Sequence, residues 1–181
     1  VRKLQAHKKL FVVIELKSDR IAMLKEENIL FVEGDATFDA VLFKANIQSA
    51  QALITTLPND ADNVFIVLSA REQNTNLTII SRASEGKSTS KLKKAGATNV
   101  IMPDKVGGSH MASLVITPDV VEFLDNLSLE GTGEINLEEV SVSDFPEIST
   151  VCTLRDLEER YNTGCTVIGF KTNDGEFIVN P

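Results

Sequence analysis

The sequence predicts an α/β fold with a doubly wound parallel sheet, and three features of about the first hundred residues indicate it. Short β-branched runs alternate with helical patterns, the runs are apolar throughout, and turn-forming residues separate them. Strands that are apolar on both faces are typical of parallel sheets covered by helices on each side. We therefore expect each strand to be connected to the next by a helix.

The predicted elements follow one another in a regular order. Strands are predicted at 10–14, 29–32, 52–56, 77–81 and 100–102. Helices are predicted at 18–27, after residue 37, after residue 60 and at 88–95. Ser18 and Asp19 are candidates to cap the first of these helices, and Gly96 is expected to end the last one.

The pattern changes after residue 105. Gly107-Gly108 is followed by a dense apolar run without a strand, which predicts a helical crossover arm at 106–127. From residue 128 onward, alternating apolar residues, a helix at 154–161 and a hairpin through Asp174-Gly175 predict a small α+β subdomain. We expect three segments, 1–105, 106–127 and 128–181.

The central strand of the predicted sheet is missing from the sequence. A doubly wound nucleotide-binding half opens with a strand and a Gly-x-Gly-x-x-Gly turn, which holds a pyrophosphate at a helix N-terminus. Residues 1–7 resemble the end of the helix that follows such a turn. In the strand order 3-2-1-4-5-6, the absent strand belongs between strands 10–14 and 52–56. We expect the sequence to be part of a longer chain, with its first and last subdomains incomplete.

Composition excludes several classes of protein. The longest uncharged apolar run, residues 10–14, is far shorter than the roughly 20 residues of a membrane span, and no signal peptide opens the sequence. The formal net charge of −8 and the lack of a large basic cluster argue against a nucleic-acid partner. Cys152 and Cys165 form no zinc motif or disulfide framework, so a reducing, cytosolic setting is favoured.

Two acids follow the first two predicted strands. Glu15 stands where doubly wound proteins place an acid that accepts from both ribose hydroxyls and would repel a 2′-phosphate. This position favours NAD or another adenine nucleotide over NADP, the alternative being a solvated carboxylate. Asp35 could accept a hydrogen bond from an adenine amine or cap the following helix.

The third predicted strand ends at the topological switch point, where open α/β sheets bind ligands. Thr55, Thr56 and Leu57 lie there, and we expect their backbone rather than their side chains to contact a ligand. Asn59 and Asp60 begin the next helix, which makes N-capping their ordinary role. Asn63 is expected to be freer to reach a ligand.

Four stretches, taken in order, resemble the RCK domains, the regulators of potassium conductance that are also called TrkA N- and C-terminal domains. They are Val12–Glu15, Gly34–Thr37, Leu57–Phe65, and Lys94–Ala97 with Val100–Pro103. Residues 107–125, 153–157 and 164–168 extend the resemblance to domains attached to potassium channels.

The resemblance implies a Rossmann-like N-terminal subdomain, a dimerising arm and a C-terminal RCK subdomain. It implies a regulatory domain on the cytoplasmic side of the cell membrane, attached to the pore of a potassium channel or transporter. Such domains form homodimers that assemble into an octameric ring, and they change pore opening when a ligand binds. The ligand would be NAD or an adenine nucleotide such as ADP, ATP or AMP.

The resemblance also bears on Arg82 and on metal binding. In similar domains an arginine at this strand end approaches the nucleotide phosphates, and the alternative for Arg82 is a surface ion pair. Some relatives bind Ca²⁺ through carboxylates at positions that match Thr56, Arg82 and Ser84. Because calcium requires oxygen ligands, an arginine argues against that site, and no metal site is expected.

The apolar stripe of the arm is too hydrophobic for a surface exposed to solvent, which favours contact with a partner. A self-complementary patch between two copies is the simplest solution, so we expect a homodimer. The residues expected to cross to the partner are Met111, Leu114, Val121, Phe123 and Leu124.

The leading interpretation is a nonenzymatic ligand-sensing domain that controls potassium flux through a channel. A peripheral nucleotide-binding subunit of a Trk- or Ktr-type transporter is the alternative within the family, and a ligand-free assembly domain is a third interpretation. An NAD-dependent oxidoreductase is disfavoured because no histidine, cysteine or tyrosine–lysine pair near the strand ends can move a proton. We therefore expect no catalytic residues.

Overall fold

The structure of the protein, a computed structural model, describes residues 1–128, 141 and 168–179. The chain divides into two compact units, Val1–Glu122 and Phe123–Pro181. The strands and helices of the Rossmann-like fold belong to the first unit. The predicted strands around residues 135–142, the predicted helix at 154–161 and both cysteines lie outside the described residues.

Strands and helices alternate as the sequence predicts. The first half of the fold contains α1 Arg2–Ala6, β1 Val13–Glu15, α2 Ser18–Glu26, β2 Phe31–Glu33 and α3 Asp39–Lys44. After a 3-10 turn at Ile47–Ser49 come β3 Ala52–Thr55, α4 Asp60–Gln73, β4 Thr78–Arg82, α5 Gly86–Ala95 and β5 Asn99–Ile101. The chain continues with α6 Pro103–Ile116 and α7 Pro118–Ser128, and the described part of the second unit adds β6 Gly169–Lys171 and β7 Phe177–Val179.

All strand pairs of the first unit are parallel, which confirms the predicted sheet type. β1 pairs with β2, and β4 lies between β3 and β5. These orders are those of a doubly wound sheet on either side of its centre. No described strand pairs with the other edge of β1 or β3. β1 begins three residues later than expected because β2 offers partners only to Val13–Glu15.

One hydrophobic core joins the two groups of strands. Ile14 of β1 and Leu53 of β3 both pack against the same buried cluster. Burial of each large apolar side chain there contributes about 1.5–3 kcal/mol. The largest fully buried apolar residues are Leu42, Ile66, Val67, Leu77, Ile79 and Leu92.

Helix α4 buries a face that is not entirely apolar. Its buried residues are Asn63, Ile66, Val67 and Ala70, which recur at the spacing of one helical face. The apolar Leu68 of the same helix is half exposed. The buried face therefore includes a polar residue, and its position decides much of the candidate site.

The arm differs from its prediction in where it begins and breaks. Helix α6 begins at Pro103 and runs through Gly107-Gly108, so the two glycines do not release the chain. Proline suits the first helical position because its φ angle is already helical and its missing N–H is not needed there. The break comes instead at Thr117, immediately before Pro118.

Four of the five predicted dimer residues of the arm are exposed: Met111, Leu114, Phe123 and Leu124. Val121 differs, because its own chain buries it to 7% exposure. Val121 lies in the first turn of α7, between the exposed residues Val120 and Phe123. It is therefore not available on the surface that would meet a partner.

The predicted hairpin is present in the second unit. β6 and β7 pair antiparallel, with Gly169 opposite Val179. Gly175 adopts φ 86°, which L side chains rarely adopt, and its N–H donates to the Thr172 carbonyl at 2.9 Å. Within the described residues, no helix is both long and apolar enough to cross a bilayer.

Asn74 holds the connection between α3 and β3 in place. Its amide nitrogen donates to the carbonyls of Ile47, Gln48 and Ala50 at 3.0, 3.3 and 2.9 Å. These carbonyls belong to the 3-10 turn and the residue that follows it. One side chain at the end of α4 thus sets the path by which the chain enters β3.

We predict that Asn74→Ala lowers the free energy of unfolding by about 1–3 kcal/mol, because the half-buried carbonyls lose their donor. Urea denaturation measures this change. Asn76→Ala, at an exposed position in the same loop, is the control and should stay within about 0.5 kcal/mol of the wild type. Equal losses in the two variants would contradict the role given to Asn74.

Candidate functional site

The carboxyl ends of β1 and β2 lie side by side and carry the two predicted acids. Glu15 is opposite Glu33 in the parallel register, and the Gly34 N–H donates to the Glu15 carbonyl at 3.0 Å. Asp35 follows directly. The structure therefore brings Glu15 and Asp35 to the same end of the same sheet.

Glu15 uses one carboxylate oxygen to stabilise the turn into α2. Its Oε1 accepts from the backbone N–H groups of Leu16 and Lys17 at 2.9 and 3.0 Å. The expected caps, Ser18 and Asp19, do not act, because Lys17 is the N-cap residue and forms no side-chain cap bond. Among the described residues, Oε2 of Glu15 has no hydrogen-bond partner.

Gly34 allows the end of β2 to pass close to α3. A Cβ atom at this position would lie 2.8 Å from Cγ2 of Val41, and the φ angle of 157° is strained for an L side chain. Any larger residue would push β2 and α3 apart. The glycine thereby keeps Asp35 next to the end of β1.

Asp35 shapes the turn before α3. Its Oδ1 accepts from the backbone N–H and the hydroxyl of Thr37 at 2.9 and 2.7 Å, and these bonds lower the pKa of Asp35. The N-cap of α3 is Phe38, which forms no side-chain cap bond. The carboxylate therefore stabilises the turn formed by residues 35–37 and does not cap α3. Contact between Asp35 and an adenine amine stays a prediction.

Asn63 joins the ends of β3 and β4. Its side chain is 0% exposed. Its Oδ1 accepts from the Thr55 hydroxyl at 2.5 Å and from the Leu57 N–H at 3.1 Å. Its Nδ2 donates to the carbonyls of Leu57 and Arg82 at 2.8 and 3.3 Å. Both donors and both acceptor positions of the carboxamide are thus satisfied.

This arrangement differs from the freer side chain expected for Asn63. The residue lies on the buried face of α4 with Ile66 and Val67, so the helical repeat turns it inward. It positions the strand ends, and direct contact with a ligand would require it to give up a bond. The sequence contains the signal for this, because Asn63 lies three and four residues before Ile66 and Val67 and so shares their helical face.

The three residues at the end of β3 are not equally accessible. Thr55 is buried and its hydroxyl is bonded to Asn63. The Leu57 N–H and carbonyl both bond to the same carboxamide, so this N–H is already occupied. Thr56 is exposed. Contact between these residues and a ligand stays a prediction, and the structure favours Thr56 for it.

Asn59 is an N-cap, as its position suggested. Its Oδ1 accepts from the Ala61 N–H at 2.9 Å at the start of α4. Asp60 instead reaches across to the segment after β4, where it accepts from the N–H groups of Ser84 and Glu85 at 2.8 and 3.1 Å. Sequence reasoning missed this contact, because no local pattern connects residues 24 and 25 positions apart.

Arg82 ends β4 with an unsatisfied donor. Its Nε is buried and has no hydrogen-bond partner among the described residues. No described carboxylate forms an ion pair with Arg82, so the surface ion pair considered from the sequence is not found there. A buried donor without an acceptor costs about 1–3 kcal/mol, and an anionic oxygen would relieve that cost.

The described residues contain no group of three or more histidine, cysteine, aspartate or glutamate side chains able to hold a metal ion. Of the three positions considered for calcium, Arg82 is a cation and Ser84 donates its N–H to Asp60. The chemistry that these strand ends present is hydrogen-bond acceptance by carboxylates on β1 and β2, with a cationic donor on β4.

The family model of the TrkA-N domain matches residues 1–103. The chain belongs to the TrkA-N domain family. The matched residues include every strand of the Rossmann-like fold and all eight candidate ligand positions, from Glu15 to Arg82. The later residues, where resemblance suggested a C-terminal RCK subdomain, lie outside the match.

Similar proteins of two kinds, a potassium channel protein and a solved TrkA-N domain, agree with membership of the TrkA-N family. The chain is 37% identical over 181 residues to the probable potassium channel protein 2 of Methanocaldococcus jannaschii, with 94% of this chain and 51% of that protein covered. It thus spans about half the length of that relative. Among solved structures, the TrkA-N domain of the Escherichia coli inner membrane protein ybaL is 32% identical with a TM-score of 0.60, covering 62% of this chain and 84% of that chain.

A third similar structure is that of the GsuK channel bound to NAD. It is 32% identical to this chain with a TM-score of 0.51, and the match covers 55% of this chain and 18% of that one. The TrkA-N fold therefore occurs both in a solved separate domain and as part of a channel.

We predict that Asn63→Ala destabilises the TrkA-N domain by about 3 kcal/mol or more, because it leaves several buried polar groups without a partner. Urea denaturation measures the loss. Asn59→Ala removes only an N-cap and should cost about 0.5–2 kcal/mol. An Asn63→Ala variant no less stable than Asn59→Ala would show that the buried carboxamide does not hold the strand ends.

Proposed function

We propose that the chain is a nonenzymatic ligand-sensing domain that controls potassium flux through a channel. The observation that carries this proposal is the Oε2 of Glu15, which has no partner among the described residues and lies beside Gly34 and Asp35 at the ligand-binding end of a TrkA-N fold. Similarity to a probable potassium channel protein over nearly the whole chain supports the connection with a pore.

The proposed effector is an adenine nucleotide, either NAD or one of ADP, ATP and AMP. Glu15 would accept from the ribose hydroxyls, and Arg82 would meet the phosphates with its unsatisfied Nε. Asp35 and Thr56 are the further candidates for contact, while Asn59 and Asn63 act on the backbone around the site. Similarity to the NAD-bound GsuK channel supports this class of ligand.

The residues at the strand ends suit binding rather than catalysis. No described histidine, cysteine or tyrosine lies within five residues after the end of β1, β2, β3, β4 or β5. Histidine is the side chain that most often transfers protons in catalysis, because its pKa lies near the working pH. This composition supports the sensor over the oxidoreductase alternative.

The arm is proposed to pair two copies of the chain. Met111, Leu114 and Phe123 expose apolar side chains on α6 and α7. A two-fold interface would bury the same patch on each copy. We further propose that the dimers assemble into an octameric ring below a membrane pore, on the cytoplasmic side, with residues beyond 128 forming a C-terminal RCK subdomain.

We predict that Glu15→Ala weakens binding of NAD or ADP to the natural full-length protein by about 10–100-fold, the effect of losing a charged hydrogen-bond partner. Isothermal titration calorimetry measures the affinity. Glu33→Ala, at the matching register position of β2, is the control and should bind as the wild type does. Equal affinity in Glu15→Ala and wild type would remove Glu15 from the site, and turnover of the nicotinamide would contradict a nonenzymatic role.

We predict that Phe123→Asp combined with Leu124→Asp converts the dimer to monomers that still bind nucleotide, because two charges would enter the apolar interface. Sedimentation velocity measures the mass. Met23→Asp combined with Phe43→Asp changes two exposed apolar residues outside the arm and should leave the dimer intact. A double arm variant as dimeric as its parent would show that the arm is not the interface.

A further inference from the structure

One N–H group at the start of helix α5, that of its N-cap residue, is satisfied by a side chain of another helix. Its N-cap residue, Glu85, forms no side-chain cap bond, and the Glu85 carboxylate pairs instead with Lys87 at 2.7 Å. The N–H groups at a helix start need acceptors from elsewhere when the cap residue supplies none. Here the acceptor is Asp60, in the first turn of α4.

The Asp60 carboxylate meets this need with both oxygens. Oδ1 accepts from the Ser84 N–H at 2.8 Å, and Oδ2 accepts from the Glu85 N–H at 3.1 Å. The Ser88 hydroxyl, one turn into α5, is the main cause that lowers the pKa of Asp60, which keeps the carboxylate charged. Hydrogen bonds to a charged acceptor are stronger than those between neutral groups.

Two more bonds connect the same stretches of chain. The Ser84 hydroxyl donates to the Pro58 carbonyl at 3.3 Å, and Asn63 donates to the Arg82 carbonyl at 3.3 Å. Residues 57–60, after β3, and residues 82–85, which begin at the last residue of β4, are thus joined by three hydrogen bonds. Asn63 adds an indirect connection, because it bonds to both Leu57 and Arg82. Both segments carry candidate ligand contacts.

We propose that Asp60 is a positioning residue that makes segments 57–60 and 82–85 a single rigid rim of the ligand site. A ligand that contacts either segment then restrains the positions of both. The start of α5 therefore moves together with the start of α4. This inference rests on the proposed nucleotide site for its effect on binding, whereas the joining of the segments can be tested without a ligand.

The chain offers a matched control for Asp60. Asp62 lies in the same first turn of α4, so both acids face the positive end of the helix dipole. Among the described residues, the Asp62 carboxylate forms no hydrogen bond or ion pair. Asp60→Asn and Asp62→Asn therefore remove the same charge near the same helix end, but only Asp60→Asn places an NH₂ group against a backbone N–H.

The test uses the natural full-length protein and measures amide hydrogen exchange at Leu57, Ser84 and Glu85 without nucleotide. We expect Asp60→Asn to speed exchange about tenfold or more at all three amides, the change expected from losing a charge-assisted hydrogen bond. Asp62→Asn should exchange as the wild type does. Faster exchange at Ser84 and Glu85 alone, or no difference between the variants, would overturn the rigid rim.

A second experiment measures binding of NAD and ADP, at a temperature where circular dichroism shows that every variant is fully folded. We expect Asp60→Asn to bind about tenfold more weakly than Asp62→Asn. Equal affinities would overturn the positioning role. If the wild type bound neither probe, the proposed function would fail, and the exchange data would still decide whether Asp60 joins the two segments.

A second variant applies if Asp60→Asn does not fold. Ser88→Ala removes only a hydroxyl in the first turn of α5, the one that contributes most to lowering the pKa of Asp60. We expect it to speed exchange a few-fold at the same three amides and to weaken nucleotide binding in proportion. If the Ser88→Ala variant showed the amide exchange rates and the nucleotide affinity of the wild type, the positioning role of Asp60 would be overturned.

Discussion

The buried carboxamide of Asn63 determines where the carboxyl ends of β3 and β4 lie. It sits in an apolar core, where a polar group with unmet hydrogen bonds is costly, and its four bonds reach three residues in two segments, the ends of β3 and β4. Moving Thr55, Leu57 or Arg82 relative to the others would lengthen at least one of these bonds. The core and the candidate site are therefore not independent, because the residue that packs α4 against the sheet also positions the edge of the ligand site.

Local signals predict the architecture well because they depend on neighbours in the sequence. Apolar runs identified all five parallel strands, and Gly96 ends α5 with a φ angle of 108° while Arg71 packs beneath it and donates to its carbonyl at 2.9 Å. The turn at Asp174-Gly175 is confirmed for the same reason. The arm shows the limit of such signals. Two adjacent glycines weaken a helix by about 1 kcal/mol each, which did not stop α6, whereas Pro118 marks the break.

The candidate site was predictable in its positions and less so in its contacts. Glu15, Asp35 and Asn59 follow from where strands end and helices begin, and each forms bonds with residues no more than two positions away. Asp60 and Asn63 bond to residues 19 to 25 positions away, and a linear pattern carries no information about such partners. Asn63 still left a trace, since its spacing from Ile66 and Val67 assigns it to the inner face of α4.

The charges around the strand ends differ between the two groups of strands, and this difference bears on the ligand. Glu15 ends β1 and Asp35 follows β2, and both are acceptors, whereas Arg82 ends β4 and is a cation whose Nε has no partner among the described residues. The pKa of Asp35 is lowered by Thr37, so its stabilising contribution is fully present above its ordinary value of 3.8 and is lost as the pH falls through the lower folded value. At neutral pH the Asp35 carboxylate therefore stays charged. A ligand with hydroxyl or amine donors at one end and phosphate at the other matches both groups, as adenine nucleotides do. In the proposed site, where Glu15 would accept from the ribose hydroxyls, a phosphate on the ribose 2′ oxygen would bring an anion to Glu15, and the proposal therefore includes NAD rather than NADP.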